Sequence, residues 1–176
     1  MRIIRCTPSY CDQILAIFNA AIVTSTALYD YQPRTPDMMR AWFEIKETGN
    51  YPVVGAITPG GDLMGFGSYG TFRAWPAYQY TVEHSVYVAE KFRRQGVGRR
   101  LLEELITLAQ SQNYHVLVGA IDSGNRASVS LHRKLGFQYG GTLRQVGFKF
   151  GRWLDLEFHQ LILPSPRKPE DGNPAT

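Results

Sequence analysis

The stretch from Tyr80 to Ile106 constrains the chain more than any other. "YTVEHSVYVA" is a run of β-branched and aromatic residues, which predicts a central strand. "RRQGVGRRLLEELI", from Arg93 to Ile106, then sets two glycines between two arginine pairs and passes at once into apolar residues at helical spacing. A strand that feeds a helix through such a turn implies an α/β arrangement and aims the helix's first amides into the space beyond the strand. Those amides have no partner inside the helix, and the helix dipole is positive there, so the turn suits an anion. Gly96 and Gly98 let an anion approach the backbone. Arg93 or Arg94 would add charge-assisted bonds. A capped helix whose arginines are merely solvated would give the same stretch without a ligand.

The rest of the chain alternates in the same way. "RIIRC" reads as a strand, and Ile14, Leu15, Ile17, Phe18, Ala21 and Ile22 carry helical spacing within a segment from about Pro8 to Ser25. A second helix follows Thr35 as N-cap and Pro36 at the first helical position. "YPVVGAI" and "DLMGFGSYG" flank a Gly-rich turn and read as antiparallel strands. After Tyr80–Ala89 come a helix from Gly98 to Gln112, the strand "YHVLVGAI", a helix from Asn125 to Leu135 and two strands, "FQYGGTLRQVGFK" and "WLDLEFHQLIL". The order β-α-α-β-β-β-α-β-α-β-β predicts an α/β domain with a mixed sheet covered on both faces. Residues 1–163 form this single domain, and the Pro-rich, non-periodic residues 164–176 are expected to be a flexible tail.

Composition narrows the function classes. The 176 residues leave no room for a second catalytic domain. Lys and Arg number 19 against 15 Asp and Glu, a formal charge of +4, so the placement of charge matters more than its total. Arg93, Arg94, Arg99 and Arg100 lie within eight residues, a cluster fit for nucleic acid or for a phosphorylated small molecule. Cys6 and Cys11 are too few and too close to the N-terminus to staple the domain, and no Cys/His cluster suggests a metal. With no apolar leader and no membrane-length apolar run, the chain is expected to be soluble and cytoplasmic.

Three phosphate motifs compete for the Gly/Arg turn. A Walker loop needs Lys followed by Ser or Thr after its glycines, and none is present. A dinucleotide fingerprint needs a third glycine, which "GVGRRL" lacks. What remains is Gln/Arg-x-x-Gly-x-Gly/Ala, here Arg93, Gly96 and Gly98, which resembles the pyrophosphate loop of the GNAT acyl-coenzyme A transferases. "NRASVSLHRKLGF" resembles the second signature of that family. "TVEHSVYV", "LHRKLGF" and "VGFKFGRWLDLEF" together resemble one branch, the phosphinothricin and methionine sulfoximine N-acetyltransferases, also described as L-amino acid N-acyltransferases. The resemblance runs from about residue 1 to 163. It implies the GNAT fold, a mostly antiparallel mixed sheet of about seven strands with helices on both faces. It also implies acetyl-CoA as co-substrate, no metal, and direct transfer to the α-amine of a small amino acid in a ternary complex.

The same resemblance supplies site residues. Glu83, a carboxylate in an apolar run, matches the acidic residue that deprotonates the amine, and a charge there needs a partner or a solvated face. The backbone of Val86, Tyr87 and Val88 corresponds to the strand that holds the pantetheine. Arg93, Arg94, Gln95, Gly96, Val97, Gly98 and Arg99 form the pyrophosphate loop, and Asn125 and Ser128 lie on the coenzyme side. His132 stands seven residues after Asn125, where many relatives carry a proton-donating tyrosine. Arg73 would grip a substrate carboxylate. Trp75 and Tyr78 would wall a side-chain pocket, and His84, Lys149 and Trp153 would complete it, the last two from near a homodimer interface. Phe92 and Arg94 depart from the family pattern, which often has His and Gly there. The small-amino-acid reading competes with transfer to a peptide N-terminus or a polyamine, with a coenzyme-binding sensor that lacks activity, and with a nucleic-acid module. The last would need an exposed aromatic platform beside the arginines; no nucleic acid or membrane partner is expected.

Overall fold

Thr35 and Pro36 start a helix as their chemistry dictates: the threonine side chain accepts from the Met38 amide, and the proline sits where its missing N–H does no harm. The structure is a computed structural model and describes residues 1–171. Its strands are β1 (Arg2–Arg5), β2 (Val53–Ile57), β3 (Leu63–Thr71), β4 (Thr81–Val88), β5 (Val116–Asp122), β6 (Gln138–Lys149) and β7 (Arg152–Ile162). Its helices are α1 (Cys11–Thr24), α2 (Pro36–Thr48), α3 (Val97–Ser111) and α4 (Arg126–Lys134). The element order is the one read from the sequence. Boundaries differ locally: Pro8–Tyr10 form a separate 3-10 turn before α1, and α3 begins one residue early, at Val97.

The sheet runs β1-β2-β3-β4-β5-β7-β6, and every neighbouring pair is antiparallel except β4 and β5. Period two divides its faces. Val54 and Ala56 of β2 turn to the cluster formed with α3, while Val53 and Ile57 turn to the cluster formed with α1 and α2. Helix α3 buries Val97, Leu101, Leu102, Leu105 and Ala109 completely or nearly so. Each buried leucine contributes roughly 2 kcal/mol, so this one stripe anchors the helix to the sheet. Leu131 of α4 and Leu135, just past its end, pack against the same cluster.

Beyond β7 the chain remains attached. Ser165 is buried, its hydroxyl donating to Tyr114 O and its carbonyl meeting His115 Nδ1, and the Glu170 carbonyl accepts from Gln79 and Tyr80. The tail expected from residue 164 is therefore docked through Glu170, because a segment without periodicity is still able to satisfy its polar groups on a neighbouring surface. Residues 172–176 lie outside the described residues. Among the described residues no helix is long and apolar enough to cross a membrane.

Candidate active site

Strands β4 and β5 pair only from Thr81 with Val116 to His84 with Gly119. Beyond that point Ser85–Val88 keep their partners on β3 and have none on β5, so the two strands part and leave the β4 backbone open along one edge. An open edge offers N–H and C=O groups to an extended ligand as it would to another strand. This is the segment that holds Val86, Tyr87 and Val88.

The cleft leads to the Gly/Arg turn. Gly96 takes φ +79 at the N-cap of α3, a left-handed conformation that favours glycine, and no atom lies within 4 Å of where its Cβ would stand. Among the described residues the amides of Val97, Gly98 and Arg99 find no acceptor, and the first bond of the helix runs from Arg100 N to Gly96 O. Three free amides at a helix start with open space before them form an anion cradle. The side chains contribute less than the backbone. Arg93 Nε lies 3.4 Å from Val88 O, Gln95 turns back to Lys91 O, and Arg99 pairs with Glu103 at 2.8 Å. Arg94 is exposed and adopts φ +62, which costs a non-glycine residue roughly 1–2 kcal/mol. Phe92 packs against the core under α3.

Glu83 is half-buried on β4, opposite Gly70 of β3 and Val118 of β5. Burial raises the pKa of its carboxyl above the ordinary value, and the Arg73 guanidinium works against that rise. Period two carries Tyr87 to the same face, where burial raises the pKa of its hydroxyl above the ordinary value. The sequence did not single out Arg34 or Lys46 for this face. The Arg34 guanidinium lies 4.1 Å from the Phe18 ring centroid and 3.3 Å from Asp30. Lys46 stands above Gly70 and donates to Tyr69 O at 2.7 Å, with burial first and the Arg34 charge second pushing its pKa down to about 8.

His84 does not share this face. Its ring turns to the other side of β4, buried, with Nδ1 2.6 Å from Val118 O and Nε2 2.9 Å from His132 Nε2. The expected contact of His84 with substrate is corrected accordingly, because alternation sends residues 83 and 84 to opposite faces. His132 is also buried, its Nδ1 2.7 Å from Ser128 O and 3.5 Å from Ser128 Oγ. Asn125 caps α4, accepting from the Ser128 amide at 3.2 Å.

Lys149 is corrected as well. Its ammonium donates to the carbonyls of Ile22, Ser25 and Leu28, at 2.7, 2.9 and 2.6 Å, so all three donors are spent on the C-terminal end of α1 and the loop after it. Tyr31 OH donates to Phe148 O and the Tyr29 ring covers Gly147, so the α1–α2 loop is strapped to the β6–β7 hairpin. Arg73 is exposed and stacks on Phe72 at 4.5 Å, Tyr78 packs edge-on to the same ring, and Trp75 is 74% exposed. The loop that holds Trp75 and Tyr78 is thus open and does not wall a closed pocket. Trp153, 60% exposed, lies against Phe148 on the hairpin. Among the described residues no group of three His, Cys, Asp or Glu is placed to hold a metal ion.

Comparison with known proteins fits this geometry. Residues 15–137 match the model of the acetyltransferase (GNAT) family. The chain is 46% identical over 154 residues to an L-methionine sulfoximine/L-methionine sulfone acetyltransferase of Pseudomonas aeruginosa, covering 88% of this chain and 90% of that one. The crystal structure of an N-acetyltransferase from Staphylococcus aureus superposes with a TM-score of 0.90 at 44% identity, over 92% of this chain and 97% of the other. A phosphinothricin acetyltransferase from Sinorhizobium meliloti, solved in complex with acetyl-CoA, gives a TM-score of 0.93 at 29% identity, over 97% and 94%.

Proposed function

Because the chain belongs to the GNAT acetyltransferase family and is an acetyl-CoA-dependent N-acetyltransferase, we propose that its acceptor is the α-amine of a small amino acid or analogue. Methionine sulfoximine, methionine sulfone, phosphinothricin and L-methionine are the acceptors that fit. The observation that carries this reading is the parting of β4 from β5, which sets a half-buried carboxylate, Glu83, beside an open strand edge that runs toward free helix amides.

The residues fit the coenzyme. The amides of Val97, Gly98 and Arg99 with the open space at Gly96 would hold the pyrophosphate, Arg93 and Arg94 would add charge, and Gln95 completes the turn. The edge of Val86, Tyr87 and Val88 would pair with the pantetheine arm, with Asn125 and Ser128 across the cleft. Acetyl-CoA supplies the thioester carbonyl that the amine attacks. An α-ammonium must lose a proton first, and Glu83, directly or through a water, is the base; the raised pKa moves it toward the pH at which such a base is efficient. Backbone N–H groups along β4 stabilise charge on the carbonyl oxygen. A proton returns to the leaving sulfur from His132, from Ser128 or from water.

Arg73, close enough to bias Glu83 electrostatically, is the partner for the substrate carboxylate. Leu143, Val146, Phe148, Phe150 and Trp153 leave an apolar strip exposed on the β6–β7 hairpin, which supports a homodimer joined there. The test is an acceptor panel with acetyl-CoA, the products identified by mass spectrometry. Acetylated L-methionine sulfone or L-methionine, with little product from a peptide N-terminus or a polyamine, is the result expected. Preference for a peptide or polyamine would overturn the acceptor assignment.

A further inference from the structure

Glu83 shares its face of β4 with Ser85 and Tyr87, and their partners on β3 are Gly70, Ser68 and Phe66. Side chains on this face are therefore small in the middle. Tyr87 and Phe66 are buried under α1 and α2, whereas Ser85, in the central strand of the seven, is exposed. The layer above the sheet thus leaves a hollow over Ser85, with Glu83 at one end and Tyr87 at the other. If the amine lies at Glu83 and the α-carboxylate at Arg73, as the proposed function has it and as this inference requires, the acceptor's side chain has the rest of that hollow to enter.

Two cations border the hollow. The Arg34 guanidinium stacks 4.1 Å from the centroid of Phe18, whose ring lies 5.0 Å from that of Tyr87 and 4.8 Å from that of Phe66, so it stands at the aromatic end. Lys46 Nζ lies 3.2 Å from where a Cβ on Gly70 would be, at the Glu83 end. Trp42 links the two, 5.6 Å from Phe18 and 5.4 Å from Lys46 Nζ. Asn19 of α1 fixes the position of Arg34, accepting from its amide at 2.7 Å and donating to its carbonyl at 3.0 Å.

Arg34 has more donors than acceptors. A guanidinium carries five N–H groups. Among the described residues one of them, on Nη2, has an acceptor, Asp30 at 3.3 Å, and that carboxylate is itself half-exposed. The Arg34 side chain is only 19% exposed, so water reaches its other donors poorly. Lys46 adds a second positive charge on the same face and spends one donor on Tyr69 O. Donors held this way favour a ligand that brings oxygens to them.

We propose that Arg34 is a specificity-determining residue of the acceptor site: its free N–H groups bind oxygens on a tetrahedral phosphorus or sulfur at the end of the acceptor's side chain. Phosphinothricin, L-methionine sulfone and L-methionine share one skeleton, a methyl-bearing heteroatom two methylenes beyond Cα. At that atom the first carries two oxygens and a negative charge, the second two oxygens and no charge, and the third no oxygen. Arg34 ranks them in that order, because an acceptor without oxygens leaves the donors unpaired. Asp30 steadies the guanidinium by one N–H and leaves Nε and Nη1 for the ligand.

The test is thiol-release kinetics with these three acceptors, wild type beside Arg34→Met, Arg34→Gln and Arg34→Lys, each checked for folding by a thermal melt. Arg34→Met and Arg34→Gln should cut the ratio of kcat/KM for phosphinothricin over L-methionine by about 10-fold or more. The loss should lie in the KM for phosphinothricin, with a smaller fall for the sulfone and no change in the KM for acetyl-CoA. Arg34→Lys keeps the charge and should recover part of the ratio. An equal loss for all three acceptors would mark a structural residue, a raised KM for acetyl-CoA would assign Arg34 to the coenzyme, and an unchanged ratio would remove it from selection; each overturns the proposal. Turnover of none of the three by the wild type overturns the acceptor assignment and this proposal with it, so the two failures are distinguishable.

Discussion

Glu83 and His84 are adjacent in sequence and do opposite things, one meeting the open face of β4 and the other the core behind it. The carboxylate was legible because a charge in an apolar strand demands a reason. The histidine's direction was legible in principle from period two, which sends neighbouring residues of a strand to opposite faces. Lys149 was not legible at all, since its three acceptors lie more than 120 residues earlier in the chain. Two outcomes follow at this scale. Arg73 favours the Glu83 carboxylate, so Arg73→Ala raises that pKa further and should move the acid limb of kcat/KM to higher pH in a pH–rate profile. A carboxyl whose folded pKa exceeds its unfolded one loses stability as pH rises from the unfolded value through the folded one. Glu83→Gln removes that penalty and should raise Tm at neutral pH by about 1–3 °C, with no gain below pH 4.

At the level of elements, strand and helix order followed from hydrophobic period, because each element buries one face or stripe and the sequence records it. The parting of β4 and β5 left no such record, because it depends on where a register ends and on two imidazoles filling the space over Gly119. The turn before α3 was legible in its glycines; its conformation was not, since Arg94 occupies a left-handed position that favours glycine. Gly96→Ala places a Cβ at φ +79 and should cost about 1–2 kcal/mol in urea unfolding, together with weaker acetyl-CoA binding by calorimetry. Lys149→Met strips the donor from three carbonyls and should lower Tm by roughly 5–10 °C, loosening the strap between the α1–α2 loop and the β6–β7 hairpin.

The whole molecule is a sheet opened at one seam, with α1 and α2 on the face of Glu83 and α3 and α4 on the other. Its exposed hairpin strip would join two copies, so Trp153→Arg should shift sedimentation toward the monomer. The central claim is that the seam joins a coenzyme cradle to a carboxylate base. It is tested most directly by thiol release from acetyl-CoA with L-methionine sulfone, wild type beside Glu83→Gln. The account predicts turnover by the wild type and a loss of about 100-fold or more in kcat for the folded variant, with acetyl-CoA affinity retained. Equal turnover by the two proteins would contradict it.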